Sequence, residues 1–139
     1  MQTILIAHRD VNFAQELAAD LRAWGYRVIH CPGPLPPVAR CIRCDKGYCP
    51  LTEGADLMIY DPCLTAVDET GIVNNLAVDS ALAHPDVPML LAWPRAAQPD
   101  APTLLQVHAE VPWVQAAPHD PAALRRRIRE HLAAGQVAV

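Results

Sequence analysis

Short apolar runs recur along the chain, each closed by polar or proline punctuation. Thr3–Ala7, Tyr26–His30, Leu57–Tyr60, Val87–Ala92 and Val111–Gln115 read as strands, because a continuous apolar run of this length fits a strand covered on both faces. Between them the spacing turns helical. Phe13, Leu17, Leu21 and Trp24 recur on one helix face, with Asp10 or Asn12 as cap and Gly25 as stop. Ile72, Leu76 and Leu82 predict a helix over Gly71–His84, ended by Pro85 and preceded by a loop over 62–70. A short helix is expected over Thr103–Ala109. The last opens at Asp120-Pro121, where the acid accepts orphan amides and proline presets the first turn. Leu124, Ile128 and Leu132 form its apolar stripe, leaving Arg125, Arg126, Arg127 and Arg129 to face outward.

Strands alternating with helices predict an α/β fold: a doubly wound, five-stranded parallel sheet in the flavodoxin-like order 2-1-3-4-5. The pattern fails between residues 31 and 54. That segment is proline-rich and holds four of the five cysteines, so it is expected as an irregular Cys/Pro-rich insertion replacing or distorting the second helix, with one helical turn around Val38–Arg43. Residues 1–139 otherwise read as one domain, long enough to bury about two-thirds of its unfolded surface.

Composition narrows the function. A net charge of −4 argues against a general nucleic-acid binder, whose footprint is basic. No apolar run spans a bilayer, and the chain enters a strand directly from Met1, so a cytoplasmic protein without a signal peptide or membrane partner is expected. Thiols or metal ligands then fit the odd cysteine count better than a disulfide framework does.

Two places carry candidate chemistry. The first is Asp61, at the end of the central strand Ala55-Asp-Leu-Met-Ile-Tyr-Asp-Pro62, on the sheet edge where ligands sit in open α/β folds. The second is Cys41-Ile-Arg-Cys-Asp-Lys-Gly-Tyr-Cys49. A C-x2-C pair sets two thiolates on one turn, as tetrahedral Zn²⁺ requires, and Gly47 lets the chain return with Cys49. Cys31 is the preferred fourth ligand, with Cys63 or His30 behind it. Cys63 would stand about 10 Å sideways across the first strand. A structural zinc would order a loop that has little apolar surface of its own. A Cys41–Cys44 redox disulfide, an iron–sulfur cluster and free thiols compete with it. His84, His108 and His131 read as surface residues, and Trp24 and Trp113 as packing. No nucleophile–base pair stands out and no enzyme is expected, a Cys63, Asp61 and His8 cluster being the weakest alternative.

Ile4-Leu-Ile-Ala-His-Arg-Asp10, the Ala55–Pro62 stretch, Pro85-Asp-Val-Pro-Met-Leu-Leu91 and Ala117-Pro-His-Asp-Pro-Ala-Ala-Leu-Arg-Arg-Arg-Ile128 together resemble the response-regulator receiver (CheY-like) family. The resemblance implies a Mg²⁺ site built from an acidic pair after strand 1 and an aspartate after strand 3, that aspartate accepting a phosphoryl group. It also implies a Ser/Thr after strand 4 and a Lys after strand 5. Asp61 matches the acceptor, but the acidic pair falls on His8 and Arg9, the Ser/Thr on Trp93 and the Lys on Ala117. Mg²⁺ favours oxygen ligands, so a site flanked by a guanidinium and an imidazole should repel it, and Arg9 could neutralise Asp61 instead. Mg²⁺ is therefore not expected, and the resemblance points to a degenerate member (a pseudo-receiver). Because the chain ends shortly after Leu132, a stand-alone signalling module is expected. Its partner would be a protein or a second copy of the chain, met through the face formed by the helix over 103–109, the fifth strand and the last helix. The alternatives are a zinc or thiol-redox sensor using the insertion, and a phospho-accepting regulator at Asp61.

Overall fold

The computed structural model describes residues 1–31, 33, 52–67, 70–93, 101–118 and 120–137. The strands are β1 (Thr3–Ala7), β2 (Arg27–Cys31), β3 (Leu57–Tyr60), β4 (Thr65–Val67), β5 (Val73–Asn75), β6 (Met89–Leu91) and β7 (Gln115–Ala116). The helices are α1 (Val11–Ala23), α2 (Leu76–Ala83), α3 (Ala101–Glu110) and α4 (Pro121–Val137). Five strands form one parallel sheet in the order β2-β1-β3-β6-β7, which is the predicted 2-1-3-4-5 winding.

The sheet is buried on both faces because side chains alternate along each strand. Ile4, Ile6, Leu57, Ile59 and Leu90 pack with Ala14, Ala18 and Leu21 of α1 and with Leu124, Ile128 and Leu132 of α4. Leu5, Ala7, Met58, Tyr60, Met89 and Leu91 pack on the other side with α2, Val107 of α3, and Val111 and Val114. Asp10 caps α1, its Oδ1 accepting from the Phe13 amide at 3.1 Å. Gly25, at φ +93°, ends the helix, the left-handed region in which glycine carries no Cβ penalty. Asp120 caps α4 through the Ala123 amide at 3.0 Å.

Three predicted segments differ. Residues 62–75 are not a loop running into a helix. Thr65–Val67 and Val73–Asn75 form an antiparallel pair, β4 with β5, and Gly71 before β5 stands at φ +83°. The helix begins only at Leu76, capped by Asn75, whose Oδ1 accepts from the Val78 amide at 3.2 Å. Its buried face is Leu76, Ala77, Val78, Ser80 and Ala81, while Ile72 and Leu82 are exposed. A face of small residues has little hydrophobic contrast, so the large side chains misled the periodicity. The expected strand over 111–115 shrinks to Gln115–Ala116, with Val111 and Val114 buried in the preceding turn. The third helix is longer than Thr103–Ala109. The helical turn expected at Val38–Arg43 lies outside the described residues.

Ile128→Ala should lower the unfolding free energy by about 2–5 kcal/mol, since it opens a cavity in the α1–α4 core. Leu82→Ala should change it by less than about 0.5 kcal/mol, as for an ordinary surface position. Urea unfolding of the two variants checks the assignment of the buried face.

Candidate functional site

The three central strands end at one edge, and backbone bonds beyond their ends hold the candidate residues there. The His8 amide donates to the Cys31 carbonyl (3.0 Å), the Asp61 amide to Ala7 (2.8 Å), Ala92 to Tyr60 (2.9 Å) and Ala117 to Leu91 (2.7 Å). These bonds place His8, Asp61, Ala92 and Ala117 along the same edge of the sheet, with Trp93 following Ala92.

Asp61 is fully buried. Its Oδ1 accepts from the Cys63 amide at 2.9 Å, an Asx turn that explains how the chain reverses into β4. Its Oδ2 lies 2.8 Å from Arg9 Nε but accepts no well-aligned hydrogen bond, so the contact is chiefly coulombic. The Arg9 side chain is 54% exposed, so the guanidinium reaches the buried acid from solvent and closes over it.

His8 is also fully buried. Its Nε2 donates to the Ala92 carbonyl at 2.7 Å, and its Nδ1 accepts from the Asp10 amide at 3.0 Å. These partners require a neutral ring protonated on Nε2, a tautomer assigned from the hydrogen-bond network. Burial lowers the His8 pKa below its ordinary 6.5, outweighing the opposing pull of the Asp61 carboxylate. Oδ2 of Asp61 stands 4.0 Å from Nδ1, too far for a hydrogen bond. The Phe13 ring packs against the imidazole with centroids 4.8 Å apart. Reasoning from the sequence assigned Phe13 to the core and missed this role, although its position three residues after the Asp10 cap directs it at the strand ends.

Trp93 is buried, and its Nε1 has no hydrogen-bond partner among the described residues. Ala117 is half-buried. This donor set does not fit Mg²⁺. Among the described residues, one oxygen of the Asp61 carboxylate is committed to the Cys63 amide and the other lies against Arg9, while Oδ1 of Asp10 is engaged in capping α1.

Of the proposed zinc ligands, Cys41, Cys44 and Cys49 lie outside the described residues. Cys31 closes β2 half-buried, and Cys63 is half-buried after β3, with β1 between the two strands. His30 Nε2 donates to the His8 carbonyl at 3.2 Å, which leaves only Nδ1 of that ring for a metal. Among the described residues no group of three or more His, Cys, Asp or Glu converges on a common point.

The lone histidines are less bland than expected. His84 Nε2 pairs with the Thr52 hydroxyl at 3.0 Å. Nε2 of both His108 and His131 is buried without a partner among the described residues, and burial together with the Arg127 charge lowers the His131 pKa. Trp113 is exposed, whereas Trp24 carries the Arg125 guanidinium 3.6 Å from its ring centre. The outward row of arginines is thus partly engaged, since Arg127 also donates to Gln115 Oε1 at 2.6 Å.

Arg9→Ala should destabilise the fold by about 1–3 kcal/mol, because it leaves a buried carboxylate without compensation. Arg9→Ala/Asp61→Asn should recover most of that loss in denaturant titrations. A group whose folded pKa lies below its unfolded value stabilises the fold above the unfolded pKa, so stability should fall as pH drops through 6.5 toward the lowered pKa of His8. His131 acts with the same sign. His8→Gln should therefore reduce the slope of unfolding free energy against pH in that window, and His8→Gln/His131→Gln should reduce it further.

No family model matches the sequence, and no curated protein matches it. Solved structures do. A CheY-like response regulator receiver domain protein from Methanospirillum hungatei JF-1 superposes with a TM-score of 0.66 at 16% identity, covering 100% of this chain and 99% of that one. A response regulator receiver domain protein from Clostridium thermocellum gives 0.65 at 11% identity, with 100% of each chain covered. A protein described as pilus assembly-related, from Burkholderia pseudomallei K96243, gives 0.60 at 24% identity, covering 96% of this chain and 90% of its own. The strand order, the two-sided helix cover and these superpositions together make the fold of this chain that of a CheY-like response-regulator receiver domain.

Proposed function

We propose that this chain is a receiver-fold signalling module that works through protein contacts and not through Mg²⁺-dependent phosphorylation of Asp61. The Arg9–Asp61 contact carries the reading. Phosphoryl transfer to an aspartate needs an accessible carboxylate oxygen and a cation bridging it to the incoming phosphate. Asp61 is wholly buried, and the positive charge beside it belongs to a covalently held side chain that cannot be stripped away like metal-bound waters. His8, neutral and bonded at both nitrogens, supplies no oxygen ligand. Trp93 fills with an indole the place where the resemblance implies a small hydroxyl.

The face made by α3, β7 and α4 is the proposed contact surface for a protein partner or a second copy of the chain. Leu105 on α3 is 70% exposed and Trp113, before β7, is 47% exposed. Large apolar side chains left exposed to solvent are enriched at contact sites.

Incubation with acetyl phosphate and Mg²⁺, followed by intact-mass measurement, should show no phosphoryl adduct. Beryllofluoride with Mg²⁺ should leave tryptophan emission unchanged. A stoichiometric adduct that disappears in Asp61→Asn would overturn the reading in favour of a phospho-accepting regulator.

A zinc site on Cys41, Cys44 and Cys49 with Cys31, acting as a structural or sensing element, is a second proposal, with Cys63 or His30 as alternative fourth ligand. It is supported by the C-x2-C-x4-C spacing and by Cys31 standing at the end of β2, where the insertion leaves the sheet. Metal analysis of protein purified under reducing conditions should find one zinc per chain; metal-free protein with all five thiols titrating would eliminate the site.

A further inference from the structure

Where the chain leaves β2 for the Cys/Pro-rich insertion, it is tied to the strand edge at three points. The Cys31 carbonyl accepts from the His8 amide at 3.0 Å, and His30 Nε2 donates to the His8 carbonyl at 3.2 Å. The third tie lies beyond the end of β2. Gly33 stands at φ +89°, and a Cβ built on it would come within 2.6 Å of Leu64 Cδ2. Gly25, Gly54 and Gly71 share the left-handed conformation, yet a Cβ on any of them would meet nothing within 4 Å. Glycine at 33 thus answers a close approach as well as a backbone angle.

Leu64 is itself a junction. It is buried in the core cluster against which Cys31 packs. Its amide donates to the Asp61 carbonyl at 3.2 Å, and its carbonyl accepts from the Leu76 amide, at the start of α2, at 2.9 Å. One residue earlier, the Cys63 amide donates to Asp61 Oδ1 at 2.9 Å. The side chain that Gly33 meets therefore belongs to the turn that orients the Asp61 carboxylate, whose other oxygen lies 2.8 Å from Arg9. A close-packed contact does not stretch smoothly, so moving Gly33 either shifts Leu64 or opens a gap beside it.

We propose that the Gly33–Leu64 contact is the joint through which zinc binding in the insertion reaches the Asp61–Arg9 pair. The metal, held from Cys31 onward, fixes Gly33 on Leu64 and so steadies the turn that aims Asp61 at Arg9. The inference rests on the zinc reading given above and adds an output to it. Coupling of this kind is reciprocal: the factor that zinc adds to the Asp61–Arg9 pairing is the factor that the pairing adds to zinc affinity.

Zn²⁺ itself is the probe, added to the full chain under reducing conditions and withdrawn with a chelator. In ¹⁵N-resolved NMR, withdrawal should shift the Arg9 Nε–H and Leu64 amide signals. In Gly33→Ala those shifts should shrink at least about 3-fold, and zinc should bind about 5-fold more weakly. Gly54→Ala carries the same backbone strain with open space around the new methyl group, so it should match the unsubstituted chain in both measurements. Arg9→Ala, at the far end of the path, should weaken zinc by about 2–5-fold. Should Gly33→Ala fail to fold, Leu64→Val shortens the other partner of the contact and should reduce the same shifts. Zinc that binds while the Arg9 signal stays in place would overturn the joint and leave the zinc site standing. A chain that takes up no zinc would remove both. Gly33→Ala behaving like Gly54→Ala would also overturn the proposal.

Discussion

A carboxylate buried to zero exposure is tolerable only if something offsets its lost hydration, and here that compensation comes from a guanidinium reaching in from solvent. Much of the strand edge is arranged around this pairing. Oδ1 of Asp61 fixes the turn that leads into β4, and Oδ2 draws Arg9 across the ends of β1 and β3. His8 then turns inward to tie Ala92 at the end of β6 to the first turn of α1. Three parallel strands are thereby laced together beyond the reach of their own ladder.

The same region illustrates how electrostatics and packing divide the work. The ion pair is half open to water, so its attraction is screened, and its structural importance lies in what removing the arginine would leave behind. The imidazole is the reverse case. It is enclosed, neutral and saturated with hydrogen bonds, and Phe13 covers one side of it. A cationic guanidinium held by charge and an uncharged ring held by its own hydrogen bonds thus flank one acid.

The sheet was legible from the sequence because its strands are buried on both faces and read as unbroken apolar runs; the order followed from strands alternating with helices. The Arg9–Asp61 contact was legible too, since two residues at the ends of neighbouring strands share one edge. What escaped was set by small residues and by partners distant in sequence. The buried face of α2 is mostly alanine, valine and serine, which carries almost no amphipathic signal beside the louder Ile72 and Leu82. The β4–β5 pair has three residues a side, too few for alternation to register. The seat of Arg125 on Trp24 joins helices a hundred residues apart, and no local pattern announces such a stack. Spacing alone nominated Cys41, Cys44 and Cys49 as candidate metal ligands, and they lie outside the described residues, whereas Cys31 and Cys63 are placed after β2 and β3 by the fold.

The outer strands bear on how copies or partners could attach. β7 has only two residues, so it offers a visiting chain almost no run of backbone donors and acceptors. At the opposite margin, Arg22 donates to the Val28 carbonyl of β2 at 3.1 Å, occupying a group that strand addition could otherwise recruit. Extension of the sheet from either side is therefore disfavoured, and recognition falls to side chains on helices and turns, where selectivity is written in shape and charge instead of main-chain complementarity.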